Sequence, residues 1–394
     1  MPSAETKPSR SRFPRRTGFV FATIVAIADP LFAAEAAKPA YPEFPGAFVE
    51  AFAANAFAHR TSHSAARNEA IADAQAGLEK FLRDEPTHYD APYALLQLGA
   101  LNITAAHGLN ADARASASPA ERGSLMKQAR ERIASADGYF SAGLKVVEER
   151  IGIGRRGHKP TIDHAIIRKR EALKGWYIRS LLGQAEVSEE SAATYPAGSP
   201  EARTHDRQAA DKYEHIYKDF RTLVAGLSAR LKQGDCLARL GEPAEALAVY
   251  NDVLSSPDDL RPVHELRVAA MAASLACLNS EASKSHEAAF LRGEEYLAQL
   301  PREEASGADA SASSRRKIRY ETARGYLLAA ATPRKDGTAP PERAAWLAKA
   351  EEHAVKLTEQ AVSLTEQSGE DRAAAETLRR EIAKTRTVGG NVTK

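Results

Sequence analysis

The stretch LSARLKQGDCLARLGEPAEALAVYNDVLSSP, residues 227–257, decides the fold. Its apolar residues recur at steps of three and four, the period of a helix with one buried face. Gly234 and Ala246 are small where two antiparallel helices would cross, so the axes can approach closely. Gly241 is placed to end the first helix in the left-handed conformation that glycine adopts without penalty, and Pro243 opens the second without losing a needed backbone donor. Tyr250 and Leu254 continue the seam one and two turns on, and Pro257 stops it. These are the requirements of a helical hairpin that must stack on neighbours, because one hairpin cannot bury its own apolar stripe.

The same period runs outward in both directions, without a convincing stretch of strand-like alternation, so the chain reads as all-α. Ser118-Pro119-Ala120-Glu121 has the order of a capping box with proline at the first helical position. From it, Leu125, Ala129, Ile133, Ala136, Phe140, Leu144 and Val147 form one stripe. Trp346, Ala350, Ala354, Leu357, Ala361 and Leu364 form another after Pro340-Pro341. Further helices are expected at about 64–85, 90–106, 163–186, 203–220, 262–279, 284–300, 315–331 and 370–385, with longer loops at 107–118, 150–162, 187–202, 301–314 and 332–341. About one residue in five is Ala, the best helix former and a small core filler.

On these residues the sequence resembles the tetratricopeptide repeat family. Gly234, Ala246 and Tyr250 stand at its small and aromatic positions. Arg230 takes the usual Trp position, Gln233 replaces Leu, and Pro257 comes one residue early. Ala74, Leu78, Leu82 and Pro86 fall at the spacing of a second helix, and Leu98-Gly99 is similar to the Leu-Gly of the next first helix; Ala289, Gly293, Leu297 and Pro301 are a fainter echo. The resemblance implies an irregular α-solenoid, a right-handed superhelix whose first helices line a concave groove. Carried over from Gly234, its groove-facing positions are Lys232, Asp235 and Arg239.

The first residues carry an address rather than fold. Lys7, Arg10, Arg12, Arg15 and Arg16 precede an apolar run, Gly18 to Ala28, and Ala34-Glu35-Ala36 follows with small residues at a cleavage-like site. Segment 1–37 is therefore expected to be an export signal cut near Ala36, and Asp29-Pro30 leaves the run too short for a spanning helix. Residues 38–63 form an extended lead-in, 64–332 the repeat array, 333–385 its C-terminal helices and 386–394 a disordered tail. Cys236 and Cys277 fall within helical patterns and read as small buried residues rather than a disulfide pair.

Lys and Arg total 54 against 52 Asp and Glu, and the small excess sits at the N-terminus, which argues against a broad nucleic-acid-binding face. Motifs of chemistry are thin. His59 and His63 share a helical spacing without a third ligand, so no metal is expected. Gly152 to Lys159 is Gly-rich and basic but lacks the strand and GK[ST] ending of a phosphate loop. Asp163-His164 has no nucleophile elbow to serve, Trp176-Tyr177 reads as core, and Glu148-Glu149 and Glu351-Glu352 lie on polar faces. No cofactor is implied. The reading is an exported, non-enzymatic periplasmic or extracellular scaffold that binds a protein or peptide; the alternative is a helical enzyme or glycan-binding protein with its site among the long loops.

Overall fold

The computed structural model describes residues 64–156, 164–257, 260–299, 312–362 and 369–390. By contacts the chain divides into Met1–Pro42 and Glu43–Lys394. Segment 1–37, expected to be an export signal, the lead-in, His59 and His63 lie outside the described residues, as do residues 157–163.

Among the described residues the fold is all-α, with twelve helices and no strand. They are α1 (Ser64–Asp84), α2 (Ala91–Ala115), α3 (Pro119–Arg156), α4 (His164–Ala193), α5 (Pro200–Phe220), α6 (Val224–Leu240), α7 (Pro243–Leu254), α8 (Arg261–Leu278), α9 (His286–Gln299), α10 (Ala312–Ala331), α11 (Arg343–Val362) and α12 (Gly369–Gly390).

The punctuation follows the local chemistry. Gly241 caps α6 at φ 80°, and the N–H of Glu242 returns to the Leu237 carbonyl, a left-handed cap only glycine makes cheaply. Pro243 then opens α7 at its first position. Ser199 caps α5 by accepting from the Ala202 N–H at 3.2 Å. At α3 the capping box is half formed: Ser118 Oγ accepts from the Glu121 N–H, while the Glu121 carboxylate takes the Ser116 hydroxyl at 2.6 Å instead of a backbone donor.

Each helix packs on the next in sequence, and the main second-neighbour packing runs α2 on α4, α4 on α6, α6 on α8, α8 on α10 and α10 on α12. Even-numbered helices thus form a continuous row, with the odd-numbered ones between them. Buried side chains group accordingly. One cluster joins α1 to α4 around Leu78, Leu98, Leu101 and Phe140; another joins α8 to α10 around Leu275 and Ile318; a third joins α9 to α12 around Tyr326, Leu347 and Leu378.

Glycine sets the closest approaches. A Cβ on Gly234 would lie 2.5 Å from the Tyr250 ring, so α6 and α7 meet where that ring fills the missing side chain. The Phe140 ring occupies the same kind of gap on both sides, against Gly99 of α2 and Gly183 of α4. Ala74, Leu78 and Ala246 are fully buried, while Leu82 and Leu254 are half-buried at the helix edges and Pro86 and Pro257 are exposed.

Three expected loops are corrected. Helix α2 runs on to Ala115, α3 to Arg156 and α4 to Ala193, through much of 107–118, 150–162 and 187–202. At the ends of α2 and α4 polar pairs join the apolar contacts. Arg67 reaches Asp112 at 2.8 Å and passes over Gly108, where a side chain would collide with its guanidinium. Likewise α12 continues past Arg386 to Gly390.

Candidate functional site: a charged seam along the even helices

The last turns of α4 carry Glu186, Glu189 and Glu190 on the side that meets α2 and α6. From α6, Ser228, Lys232, Asp235 and Arg239 share one stripe at steps of four, three and four, so they point the same way. The three groove-facing residues expected from the sequence therefore lie together; Lys232 meets α4, Arg239 meets α4 and α5, and Asp235 meets α7. Lys232 Nζ stands 3.7 Å from Glu189 Oε1, with side chains only 3% and 9% exposed. Arg239 donates to Glu189 at 3.1 Å and to Asp206 of α5 at 2.8 Å. Tyr213 of α5 gives its hydroxyl hydrogen to the other Glu189 oxygen at 3.0 Å. Tyr250 donates to Asp235 at 2.9 Å, and His107 of α2 stands 3.6 Å from Glu190.

Burial and neighbours sort the charges. Burial, reinforced by Glu190 and Glu189 against Lys232, pushes the Glu186 carboxyl up to about 8. Glu190 is buried too, yet His107, Lys232 and Arg114 outweigh that and hold it below its ordinary value. Burial raises Asp235, with Lys232 opposing. Burial also pushes the Cys236 thiol well above its ordinary range, so it is no thiolate nucleophile. Both Cys236 and Cys277 are free and buried.

Chemically the seam can fix the register of α4, α5 and α6, and it can offer polar groups along the even helices. Among the described residues no three His, Cys, Asp or Glu side chains are placed to hold a metal ion. Glu186, Glu189, Glu190 and His107 were not singled out from sequence, since their turns read as loop or loop edge. A polar stripe continuing the helical period past Gln184 was the available signal.

The departures from the repeat pattern have partners. Arg230, at the usual Trp position, lies over the Tyr217 ring at 4.7 Å, pairs with Asp252 and donates to Gln233 at 2.7 Å. Trp176 is buried, with Tyr93 and Tyr89 rings 5.9 and 5.2 Å away. Glu148 and Glu149 are exposed; Glu351 accepts from Arg379, and Glu352, between Lys356 and Lys349, is drawn down to about 2.

Two other polar places stand out. A cleft of about 410 Å³ between α1, α2 and α3 has Ile71, Ala105 and Leu109 at its base and Asn68, Gln128 and Arg132 at its edge. At the other end, Glu294 of α9 accepts from Tyr326 of α10 at 3.1 Å and lies 3.0 Å from His353 Nε2 of α11. That imidazole is 3% exposed, and burial holds it below its ordinary value.

No family model and no curated protein matches the sequence.

Proposed function

We propose that this chain is an exported helical-repeat scaffold without catalytic activity of its own. Its helix pairs stack as a right-handed array of the tetratricopeptide type, and the row of even-numbered helices holds an extended segment of a protein partner in the cell envelope. The observation that carries this reading is the main second-neighbour packing, which runs along the even-numbered helices, as first helices line the groove of a repeat array. The Gly234–Tyr250 approach and the left-handed cap at Gly241 support it, as hairpin features shared with that family. The signal-like order of residues 1–37, with small residues around Ala36, supports export.

The test places a photo-crosslinking amino acid at the part-exposed His107 of α2, on the row of even helices, or at the exposed Asp211 of α5 or Glu245 of α7, and irradiates the expressing cells. One protein joined at 107 and absent at 211 and 245 is the expected result. Equal capture at all three positions, or none at 107, contradicts the reading. Recovery of the chain from the cytosol with Met1 intact contradicts the export part.

A further inference from the structure

Lys232 stands between two carboxyl groups that make no ion pair. Its partner is Glu189, which also takes Arg239, while Arg239 holds Asp206 as well. Glu186 feels Lys232, Glu189 and Glu190 on one side of this pair; Asp235 feels Lys232, Glu189 and Arg239 on the other. Among the described residues neither Glu186 nor Asp235 is joined to a cation. Both are half-buried, so they still reach solvent. Asp235 spends one oxygen on the Tyr250 hydroxyl and keeps the other.

A third group is unspent beside them. Ser228 of α6 is 6% exposed, and its hydroxyl has no hydrogen-bond partner. A buried hydroxyl left in this way is a cost the fold carries. Ser228 begins the stripe of Lys232 and Asp235, so it points to the same side. Helices joined by short turns alternate in direction, so α4 and α6 run the same way. One turn back from the Glu189–Lys232 contact therefore sets Ser228 level with Glu186.

These three groups can all accept, which selects a cationic donor, because ammonium and guanidinium N–H groups bond most strongly to carboxylates. Seven residues of helix separate Ser228 from Asp235, a rise of about 10 Å, which three residues of an extended chain span. We infer that this part of the even-numbered row receives two Lys or Arg side chains, three residues apart, from a basic extended segment of the partner. One cationic head enters beside Glu186 and Ser228, the other at Asp235. The inference rests on the scaffold reading above and adds the chemistry of what the scaffold holds.

A cation arriving beside Glu186 favours its charged form. Its carboxyl otherwise stands at about 8, so binding at pH 7 releases up to about one proton. The full chain is titrated by calorimetry with a Ser/Pro peptide carrying two Lys residues three positions apart, and with its Glu counterpart. Binding of the Lys peptide alone is expected, with a heat that varies with the ionisation enthalpy of the buffer. Glu186→Gln with Asp235→Asn weakens it at least about tenfold at unchanged helical ellipticity. Glu148→Gln with Glu149→Gln, on the exposed face of α3, leaves it unchanged. Equal binding of both peptides, binding of neither, or binding of spermidine in place of the Lys peptide overturns the proposal. So does full affinity in Glu186→Gln with Asp235→Asn. Crosslinking at 107 separates the two readings: undiminished capture of one protein in that double variant leaves the scaffold standing and removes the basic segment.

Discussion

Glu189 of α4 and Lys232 of α6 face each other across 3.7 Å with almost no exposure to water. An ion pair in such a place owes little to its own attraction, because taking both charges out of water costs about as much as their pairing returns. Its consequence is asymmetric: each partner depends on the other's presence. Glu189→Gln leaves Lys232 and Arg239 short of a shared carboxylate and is expected to cost about 3–5 kcal/mol. The exposed Glu352, between Lys349 and Lys356, provides the contrast. Glu352→Gln is expected to cost less than about 1 kcal/mol. Urea unfolding of both variants checks the difference.

Gly234→Ala forces a methyl group into the Tyr250 ring, which is itself fully buried and tied to Asp235. Overpacking of this kind costs about 1–3 kcal/mol. Gly138 in α3 is exposed with open space around it, so Gly138→Ala is expected to stabilise by about 0.5–1 kcal/mol through helix propensity. Opposite signs for the same chemical change, read from thermal midpoints, are the expected outcome.

Glu186 makes stability depend on pH in the direction unusual for a carboxylate. Its folded value of about 8 lies above its ordinary 4.5, so between those limits the folded state keeps a proton that the unfolded chain has lost. Stability from this group therefore declines as pH rises from about 4.5 to about 8 and levels off above. Glu186→Gln is expected to flatten that slope and to raise the urea midpoint most at pH 8–9. Unchanged slopes in the variant contradict the assignment.

The opposite sign applies at His353. Its folded value is depressed below 6.5 by burial and by Arg319, although Glu294 and Glu352 work against them. The unfolded chain then binds the proton first, so stability is lost as pH falls below about 6.5. His353→Gln keeps a donor for Glu294 and is expected to remove this acid sensitivity, read as a smaller drop in midpoint between pH 7 and pH 5.5.

Much of this architecture is legible in sequence because helices announce themselves by local means. Gly241, Pro243 and the three-and-four spacing act within a few residues of themselves, and the α6–α7 hairpin turns where they place it. The ends of α2, α3 and α4 are not legible in this way. The last turns of α2 and α4 are held by Arg67 on Asp112, His107 near Glu190 and Lys232 on Glu189, pairings between positions far apart in the chain. The charged seam was half visible for the same reason. Lys232, Asp235 and Arg239 share a local stripe, whereas their partners Glu189 and Asp206 belong to other helices. Gln233 and Arg230 look like defects in a repeat pattern until Tyr217 and Asp252 are brought beside them.

Hydrogen exchange followed peptide by peptide in the full chain, with and without Gly234→Ala, tests the stacked-array account most directly. Where helices answer only to near neighbours, stability is a sum of local pieces and interfaces. The account predicts faster exchange in α5 to α8 of the variant, with α11 and α12 unchanged. Equal acceleration in every helix would mean one shared core, and would contradict it.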